Sequence, residues 1–395
     1  MRVLHCYRTY FPDTQGGLEE AIRQIALSTQ ADGCSNTIFA LSSSPNPQII
    51  HRPEATVVRS LSWAAPASCD LGALSAFKCF RTLARQADVI HYHFPWPFAD
   101  LLHKFGGAAD RPAVMTYHSD VVRQRLAGQV YKPLMRSMLG AMTAVVATSA
   151  AYAKTSSVLR NLLTPTRLKV IPLGLVEQSY ADAAVESRTV SISERFGLTS
   201  NGYFLSLGVL RYYKGLHTLI EAARRVDFPV VVAGDGPMRR SLEESARELP
   251  HGRVRFLGRV SDAEKMALIG NCRAFVLASH LRSEAFGMVL LESAMLGRPM
   301  VSCEIGTGTT YINVDQQTGL VVPPENPNRL ADALRSLSKD EGFAQLCGKR
   351  ARIRFEQLFS GAALGSAYAE LYRSVVHSSL ARSAGSPTLA GVTLR

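Results

Sequence analysis

The sequence predicts an α/β protein with two doubly wound domains, and three observations carry this prediction. First, a chain of 395 residues exceeds what one hydrophobic core usually serves, so two domains of roughly 150 to 200 residues are expected. Second, short apolar runs alternate with amphipathic segments of helical length. Third, the alternation stops over a polar stretch at 177–200 and then restarts. Apolar strands separated by helices are typical of parallel sheets covered on both faces.

The first half of the alternation predicts a Rossmann-like domain over residues 1–176. Its strand-like runs are VLHC, TIFAL, ATVV, DVIHYH, AVMTY, AVVATS and LKVI. Periodic segments at 17–31, 71–86 and 150–162 lie between these runs and predict covering helices. The polar stretch at 177–200 is interpreted as a linker to the second domain.

The second half predicts another Rossmann-like domain over residues 201–357, with the strand-like runs YFLSLG, PVVVAG, VRFLG, CRAFVLA and PMVSC. A periodic segment at 358–380 predicts a terminal helix that packs back on the first domain. The small and polar residues 381–395 predict a disordered tail. Because ligands lie beyond the carboxyl ends of parallel strands, two such domains facing each other create one deep cleft.

The composition narrows the classes of function. The seven cysteines contain no C-x-x-C pair, which argues against a zinc site and a secreted disulfide framework, so a reducing cytoplasm is expected. No apolar run has the roughly 20 residues that cross a bilayer. A formal net charge of +12 requires an anionic partner or surface. Nucleic acid is not expected, because the basic residues are dispersed and no recognition motif accompanies them.

The strongest chemical signal is EAFGMVLLE, which follows a strand and begins a helix. At 1.5 Å per helical residue, Glu284 and Glu292 lie about 10 Å apart, too far to act together on one bond. The amides at the helix start, with Gly287 allowing close approach, form an anion site between them. The spacing alone favours a surface helix with two solvated glutamates, but the position after a buried strand favours a site. A nucleoside diphosphate sugar fits, with its sugar near Glu284 and its ribose near Glu292.

A second signal, GVLRYYKG at 208–215, again joins a strand end to a helix. Arg211 and Lys214 lie three positions apart and are expected to converge on a diphosphate leaving group, although such a pair alone is usually a solvated face. The sequence contains no Asp-x-Asp pair, a common ligand of metal-diphosphate complexes. Cationic side chains and helix amides are therefore expected to take the place of a metal ion, and no cofactor is expected.

Two weaker signals follow strands of the first half. Gly16 and Gly17 permit close backbone approach to a phosphate or sugar, although adjacent glycines are most often just a tight turn. His118 follows AVMTY, where a reacting centre would lie, although a single histidine is more often a structural hydrogen-bonding group. His91 and His93 lie on one face of the preceding strand. No third ligand is evident for them, so a metal site is not predicted.

Together these motifs resemble family 4 glycosyltransferases, which have the GT-B fold, two Rossmann-like domains facing across a deep cleft. The resemblance extends to IPLG at 171–174, AGDGP at 233–237 and TGLVVPP at 318–324, and so spans nearly the whole chain. In this family the position of Glu284 meets the donor sugar, and that of Glu292 meets the ribose. The positions of Arg211 and Lys214 bind the diphosphate.

The resemblance also implies roles for the remaining candidates. His118 would contact the donor sugar near the transfer centre and would act with Glu284, Lys214 and Arg211 as the catalytic set. The donor would be bound by Gly16, Gly17, Arg211, Lys214, Phe286, Gly287, Met288 and Glu292. One departure concerns the basic motif, because the family commonly has arginine directly after the glycine, where this chain has Val209. Arg211, two positions later, is expected to replace it.

The YYKG and EIGTGTTYIN segments resemble enzymes that use GDP-mannose or a related GDP-sugar to build lipopolysaccharide O-chains or exopolysaccharides. The implied function is retaining transfer of a hexose, with mannose or D-rhamnose favoured, from a nucleoside diphosphate sugar to a growing, lipid-linked surface glycan. Retaining enzymes of the family react on one face of the sugar, and the departing phosphate oxygen takes the proton of the acceptor hydroxyl.

The basic charge predicts a cytoplasmic enzyme with peripheral contact to the anionic inner face of the plasma membrane. Two first-domain segments combine basic and apolar residues, and their basic members are Lys78, Arg81, Arg85, Arg123, Arg125, Lys132 and Arg136. Helices packed on the core with a solvated basic edge fit the same pattern equally well.

Other functions remain open at this point. A GT-B sugar-nucleotide epimerase would turn over without an acceptor, and a transferase could use a UDP-sugar instead. A binding or scaffold protein would be expected to have lost the charged site, whereas Glu284, Glu292 and Lys214 are present. A nicotinamide dehydrogenase would need the G-x-G-x-x-G fingerprint, which does not follow the first strand.

Overall fold

A computed structural model of the chain describes residues 1–65, 70–108, 110–120 and 125–384, without the side chains of 125–130 and 382–384. These residues form two predominantly parallel sheets, each covered by helices. The strands are apolar and buried, as expected for sheets with both faces covered. The predicted α/β architecture of two doubly wound domains is confirmed.

The first sheet has nine strands among the described residues, eight of them in the order β3-β4-β2-β1-β6-β7-β8-β9. The strands β3 and β5 run antiparallel to β4, and the other pairs are parallel. The strands are β1 (Arg2–Cys6), β2 (Ser35–Ser42), β3 (Ile49–His51), β4 (Thr56–Ala64), β5 (Leu71–Gly72), β6 (Val89–Phe94), β7 (Ala113–Tyr117), β8 (Ala144–Ala147) and β9 (Leu168–Val170). The helices are α1 (Gly17–Gln30), α2 (Leu74–Gln86), α3 (Pro97–Phe105), α4 (Arg125–Ala141), α5 (Ala150–Thr155) and α6 (Ser157–Leu162).

The segment predicted as a linker at 177–200 contains a short 3-10 helix at Glu177–Tyr180, α7 (Ala181–Ser187) and α8 (Ile192–Phe196). It is polar because most of its side chains face solvent, while Tyr180 and Ile192 are buried. Tyr180 contributes its hydroxyl to the site described below.

The second sheet has the order β12-β11-β10-β13-β14-β15, and all of its described pairs are parallel. Its strands are β10 (Phe204–Leu207), β11 (Val230–Ala233), β12 (Val254–Gly258), β13 (Ala274–Leu277), β14 (Met300–Cys303) and β15 (Gly319–Val322). A short 3-10 helix, Tyr212–Lys214, follows β10. The helices are α9 (Leu216–Ala223), α10 (Arg239–Ala246), α11 (Asp262–Asn271), α12 (Met288–Met295), α13 (Thr309–Ile312), α14 (Pro327–Lys339) and α15 (Glu341–Leu358). In the preceding segment, α7 packs against α11.

The last helix, α16 (Gly361–Ala384), crosses back and packs on α1 of the first domain. Tyr368 and Tyr372 are fully buried there, under β6 and β7. The helix ends four residues after the predicted boundary at 380, and residues 385–395 of the predicted tail lie outside the described residues. Within the described part of the chain, no helix is both long and apolar enough to cross a membrane.

Candidate active site

The predicted glutamate pair lies at the carboxyl end of the second sheet, on the loop and helix after β13. Gly287 begins α12 with a φ of +94°, a backbone conformation that favours glycine. A Cβ atom at Gly287 would lie 3.1 Å from Leu277 Cδ2 and 3.2 Å from Leu290 Cδ1. Glycine therefore lets the start of α12 pack directly on the strand end. The Leu290 amide donates to Gly287 O at 2.9 Å, and the amides of Met288 and Val289 donate to no backbone oxygen within the described residues.

Glu284 is buried and forms an ion pair with Lys214, whose Nζ lies 2.5 Å from Glu284 Oε2. Ser279 Oγ donates a second hydrogen bond to the same oxygen, at 3.1 Å. Burial opposes the charged form of Lys214, but the Glu284 carboxylate outweighs it and raises the pKa of Lys214. The site therefore holds a charged pair at the end of β13.

The contact between Lys214 and Glu284 depends on a tight approach of two loops. Gly215 follows the 3-10 turn with a φ of +65°, and a Cβ atom there would lie 2.0 Å from Ala278 O. No larger residue fits at this distance, so glycine brings the turn after β10 against the end of β13. Lys214 is thereby carried to Glu284.

The predicted convergence of Arg211 and Lys214 is only partial. The Arg211 side chain is exposed and makes no hydrogen bond or ion pair within the described residues, whereas Lys214 is held by Glu284. The charge of Arg211 is near enough to oppose protonation of Lys214. Its role as a phosphate ligand stays a prediction.

Glu292 is buried on α12, and its two carboxylate oxygens differ in their hydrogen-bond contacts. Its Oε1 lies 2.9 Å from Lys265 Nζ and 3.3 Å from the Tyr180 hydroxyl, which is also 3.1 Å from Glu20 Oε1. Its Oε2 is buried and has no hydrogen-bond partner among the described residues. Buried carboxylate oxygens are normally paired, so this oxygen is available to accept a further hydrogen bond.

Lys265 reaches Glu292 because of how α11 begins. Ser261 Oγ accepts from the Glu264 amide at 3.1 Å, and Glu264 Oε2 accepts from the Ser261 amide at 2.8 Å. This capping box fixes the first turn of α11, on which Lys265 lies. The Glu292 carboxylate raises the pKa of Lys265 against the opposing effect of burial.

Gly16 and Gly17 lie at the start of α1 and face the second domain. A Cβ atom at Gly17 would lie 3.8 Å from Met288 Cγ, so the starts of α1 and α12 meet across the cleft. At Gly16 a Cβ atom would lie 2.7 Å from Glu19 Oε2, a carboxylate that also accepts from Thr14 Oγ1 at 2.9 Å. The structure thus brings Gly16, Gly17 and Met288 together, and Phe286 is buried on the same loop as Gly287.

His118 follows β7 and is buried, with its Nε2 3.0 Å from His93 Nδ1. Burial lowers the pKa of His118 to about 3, so the ring is neutral. His93 Nε2 in turn lies 3.1 Å from His5 Nδ1. Sequence reasoning missed His5, which lies inside the apolar run VLHC and gives no signal of its own.

His5, His91 and His93 form a buried cluster with ligand atoms within 4.8 Å of one another. A metal would need a free lone pair on each ring, and a neutral imidazole has only one. All six ring nitrogens already face hydrogen-bond partners: His91 faces the Tyr372 hydroxyl and Thr116 Oγ1, each at 2.7 Å, and the others face Asn36, His5, His93 and His118. The geometry therefore favours a hydrogen-bonded network.

Asp120 and Arg282 join the two domains beside the site, and no motif in the sequence predicted this pair. Arg282 Nη2 lies 3.3 Å from Asp120 Oδ2, and its Nη1 donates to Thr155 Oγ1 at 2.7 Å. The guanidinium also lies 4.7 Å from the centre of the Tyr152 ring. Asp120 is two positions after His118, and Arg282 is two positions before Glu284. The pair therefore fixes the two halves of the site relative to each other.

Two family models match the chain: "Glycosyltransferase Family 4" over residues 15–178 and "Glycosyl transferases group 1" over residues 192–354. D-rhamnosyltransferase WbpZ of Pseudomonas aeruginosa is 45% identical over 360 residues, which cover 91% of this chain and 92% of that protein. This chain belongs to glycosyltransferase family 4. The O-antigen chain mannosyltransferase C of Escherichia coli is 36% identical to this family 4 transferase over 378 residues, 96% of this chain and all of that protein.

Solved structures support the GT-B fold of this family 4 transferase. HepE of Anabaena in complex with UDP superposes with a TM-score of 0.75 at 18% identity, covering 95% of this chain and 100% of that one. WaaG, a glycosyltransferase of lipopolysaccharide biosynthesis, gives a TM-score of 0.66 at 17% identity, covering 94% of this chain and 99% of that one. At these identities the likeness concerns the fold alone.

Proposed function

We propose that this family 4 transferase moves mannose or D-rhamnose from a GDP-sugar to a growing, lipid-linked surface glycan, with retention at the anomeric carbon. The observation that carries the proposal is a charged Glu284–Lys214 couple before the start of α12, together with a Glu292 oxygen on that helix that has no hydrogen-bond partner among the described residues. The relatives WbpZ and mannosyltransferase C are named for transfer of D-rhamnose and mannose, which favours these two hexoses as the transferred sugar.

The donor is proposed to lie along the start of α12. The Glu292 Oε2 atom would accept a ribose hydroxyl, which removes the cost of a buried carboxylate oxygen without a partner. The Lys214 ammonium has three N–H donors, and only one is needed for Glu284, so the others would face the diphosphate. The amides at the start of α12 add a partial positive charge.

Transfer on one face of the sugar needs no carboxylate nucleophile. The acceptor oxygen bonds to the anomeric carbon, the bond from that carbon to the phosphate oxygen breaks, and this oxygen takes the acceptor proton. Glu284, held by Lys214 and Ser279, would accept hydrogen bonds from the sugar hydroxyls. Lys214 and Arg211 would stabilise the negative charge that develops on the leaving group, the task that a metal performs in other sites.

A panel of nucleotide sugars tests the donor proposal. GDP-mannose or GDP-D-rhamnose should raise the melting temperature of the protein more than UDP-sugars at equal concentration, because only ligands that bind the folded state stabilise it. Stabilisation by UDP-sugars alone would select the alternative donor class.

We expect Lys214→Ala to weaken binding of GDP by about 2 kcal/mol, because an anionic group then loses a charge-assisted hydrogen bond. Isothermal titration calorimetry in excess EDTA measures the affinity. Turnover by the wild-type protein should persist in the chelator. Lys339→Ala serves as the matched control, since Lys339 is exposed at the end of α14. Wild-type affinity in Lys214→Ala, or loss of turnover with EDTA, would contradict the proposed metal-free phosphate site.

Contact with an anionic membrane is proposed for the outer face of α2. Lys78, Arg81 and Arg85 are all exposed and lie at helical spacing on one face. Leu74, 88% exposed, lies one turn before Lys78 on the same face. Of the second basic segment, Lys132 and Arg136 are exposed, whereas Arg123 and the Arg125 side chain lie outside the described residues. An exposed face with one apolar and three basic residues suits an anionic bilayer surface.

Charge reversal tests this face. Lys78→Glu, Arg81→Glu and Arg85→Glu together should abolish sedimentation with anionic liposomes at low salt, and salt should weaken wild-type binding by screening. The control carries the same charge change on the second domain, at the exposed residues Lys339, Lys349 and Arg350. If both triple variants lose binding equally, net charge and not this face is responsible; if wild type binds neutral liposomes equally well, the electrostatic proposal is wrong.

A further inference from the structure

A chain of hydrogen bonds runs through the buried interior of the first domain and ends at His118. Asn36 Oδ1 lies 3.2 Å from His5 Nε2, and His5 Nδ1 lies 3.1 Å from His93 Nε2. His93 Nδ1 then lies 3.0 Å from His118 Nε2. All four side chains are buried. We call Asn36, His5, His93 and His118 the histidine chain.

Asn36 determines which atom donates in the first hydrogen bond of the histidine chain. Its Nδ2 donates to the backbone oxygen of Ala26 at 2.8 Å. If the amide were turned around, two oxygen atoms would face each other at this distance, which is repulsive. The Oδ1 atom must therefore face His5, and because a carbonyl oxygen only accepts, His5 donates from Nε2.

Because each ring carries one proton, the donor and acceptor roles set at Asn36 determine those at every later hydrogen bond of the histidine chain. Burial lowers the pKa of His5 to about 4 and that of His118 to about 3, and it lowers the pKa of His93 well below the ordinary value. A neutral imidazole has one N–H and one lone pair. His5 Nδ1 must therefore accept from His93 Nε2–H, and His93 Nδ1 must accept from His118 Nε2–H.

The last ring is left with a lone pair on Nδ1. His118 Nδ1 makes no hydrogen bond within the described part of the chain. His118 directly follows β7, at the carboxyl end of the sheet, where ligands of doubly wound domains lie. The free atom is therefore an acceptor at the cleft side of the first domain.

We propose that Asn36, His5 and His93 are positioning residues that hold His118 as its Nε2–H tautomer, so that Nδ1 accepts a hydrogen bond from a hydroxyl of the transferred sugar. The identity of the ligand rests on the proposed function, whereas the tautomer does not. With the opposite tautomer, Nδ1–H would donate, and any acceptor oxygen could bind there, whether or not it carries a hydrogen. The histidine chain thus makes the site specific for a sugar group that carries an O–H.

Nuclear magnetic resonance of the ligand-free protein tests the tautomer directly. In protein labelled with ¹⁵N-histidine, long-range ¹H–¹⁵N correlations distinguish a protonated ring nitrogen from a bare one. The His118 ring, identified by its absence from the His118→Gln spectrum, should carry its proton on Nε2 in the wild type and should populate both tautomers in His93→Leu. A proton on Nδ1 in the wild type, or an unchanged ring in His93→Leu, would overturn the proposal.

Kinetics test the consequence for the reaction. His93→Leu should lower kcat about tenfold and leave the affinity for GDP unchanged, because in the proposed site His118 contacts the sugar and not the nucleotide. His93→Asn should retain most of the activity, since its Oδ1 can take the place of Nδ1 and accept from His118. If the leucine and asparagine variants lose activity equally, His93 serves packing and not orientation.

His91→Asn is the matched control. His91 lies on the same strand and is equally buried, but it bonds to Tyr372 and Thr116 and does not reach His118. Its kcat should stay near the wild-type value even if its melting temperature falls. A loss as large as in His93→Leu would overturn the proposal. Complete lack of turnover with any nucleotide sugar would refute the proposed function alone, because the tautomer is measured without substrate.

Discussion

Replacing Glu284 with glutamine should lower kcat by about tenfold or more while the affinity for GDP changes little. The glutamine amide keeps the shape but loses the negative charge near the anomeric carbon, where positive charge develops in the transition state. It also presents N–H groups where sugar hydroxyls need an acceptor. Lys214 loses its ion-pair partner but keeps its charge for the diphosphate. Steady-state kinetics and calorimetry measure the two quantities separately.

Glu370→Gln makes the same chemical change on the exposed face of α16 and should leave kcat at the wild-type value. If Glu284→Gln also turns over normally, Glu284 serves only to hold Lys214, and the sugar contact assigned to it is wrong.

The second large effect is expected when the hydrogen bond between Glu292 and the ribose is removed, either by changing the nucleotide or by changing the side chain. Wild-type protein should bind 2′,3′-dideoxy-GDP about tenfold to a hundredfold more weakly than GDP, because the Glu292 Oε2 atom then keeps no partner. Glu292→Ala, which leaves no acceptor for the ribose hydroxyls at this position, should bind the two nucleotides with nearly equal affinity. Calorimetry on both proteins with both nucleotides gives the coupling between this side chain and the ribose hydroxyls.

Glu284→Gln provides the control, since its ribose-binding residues are intact and it should discriminate between the nucleotides as strongly as the wild type. If Glu292→Ala discriminates as strongly as the wild type, the carboxylate serves only Lys265 and Tyr180, and the ribose lies elsewhere.

Much of the fold was predictable from the sequence, because parallel strands buried on both faces appear in it as short apolar runs. The runs VLHC, DVIHYH and YFLSLG correspond to β1, β6 and β10. The site loops were predictable for a related reason, since Gly16, His118, Lys214 and Glu284 all follow strands. The short helices α7 and α8 were missed, because five to seven residues are too few for a clear amphipathic period.

The partners of the site residues were not predictable. Lys265 and Tyr180 meet Glu292 from 27 and 112 residues away, and Arg282 meets Asp120 from 162 residues away. The Asp120–Arg282 pair depends on how the two domains come together, whereas the contacts of Glu292 depend on how α11 and the segment at 177–200 pack beside α12. The local spacing of residues along the chain carries no information about either. The histidine chain was missed for the same reason. His5 and Asn36 lie on neighbouring strands, and only the pairing of β1 with β2 and β6 brings them to His93.

The most direct test of the proposed reaction is a transfer assay in excess EDTA with purified protein, GDP-mannose or GDP-D-rhamnose, and a lipid-linked glycan acceptor. We expect one hexose to be added to the acceptor, and nuclear magnetic resonance of the product should show the same anomeric configuration as in the donor. An inverted product, transfer only when a divalent metal is restored, or conversion of the nucleotide sugar without any acceptor would contradict the proposed reaction.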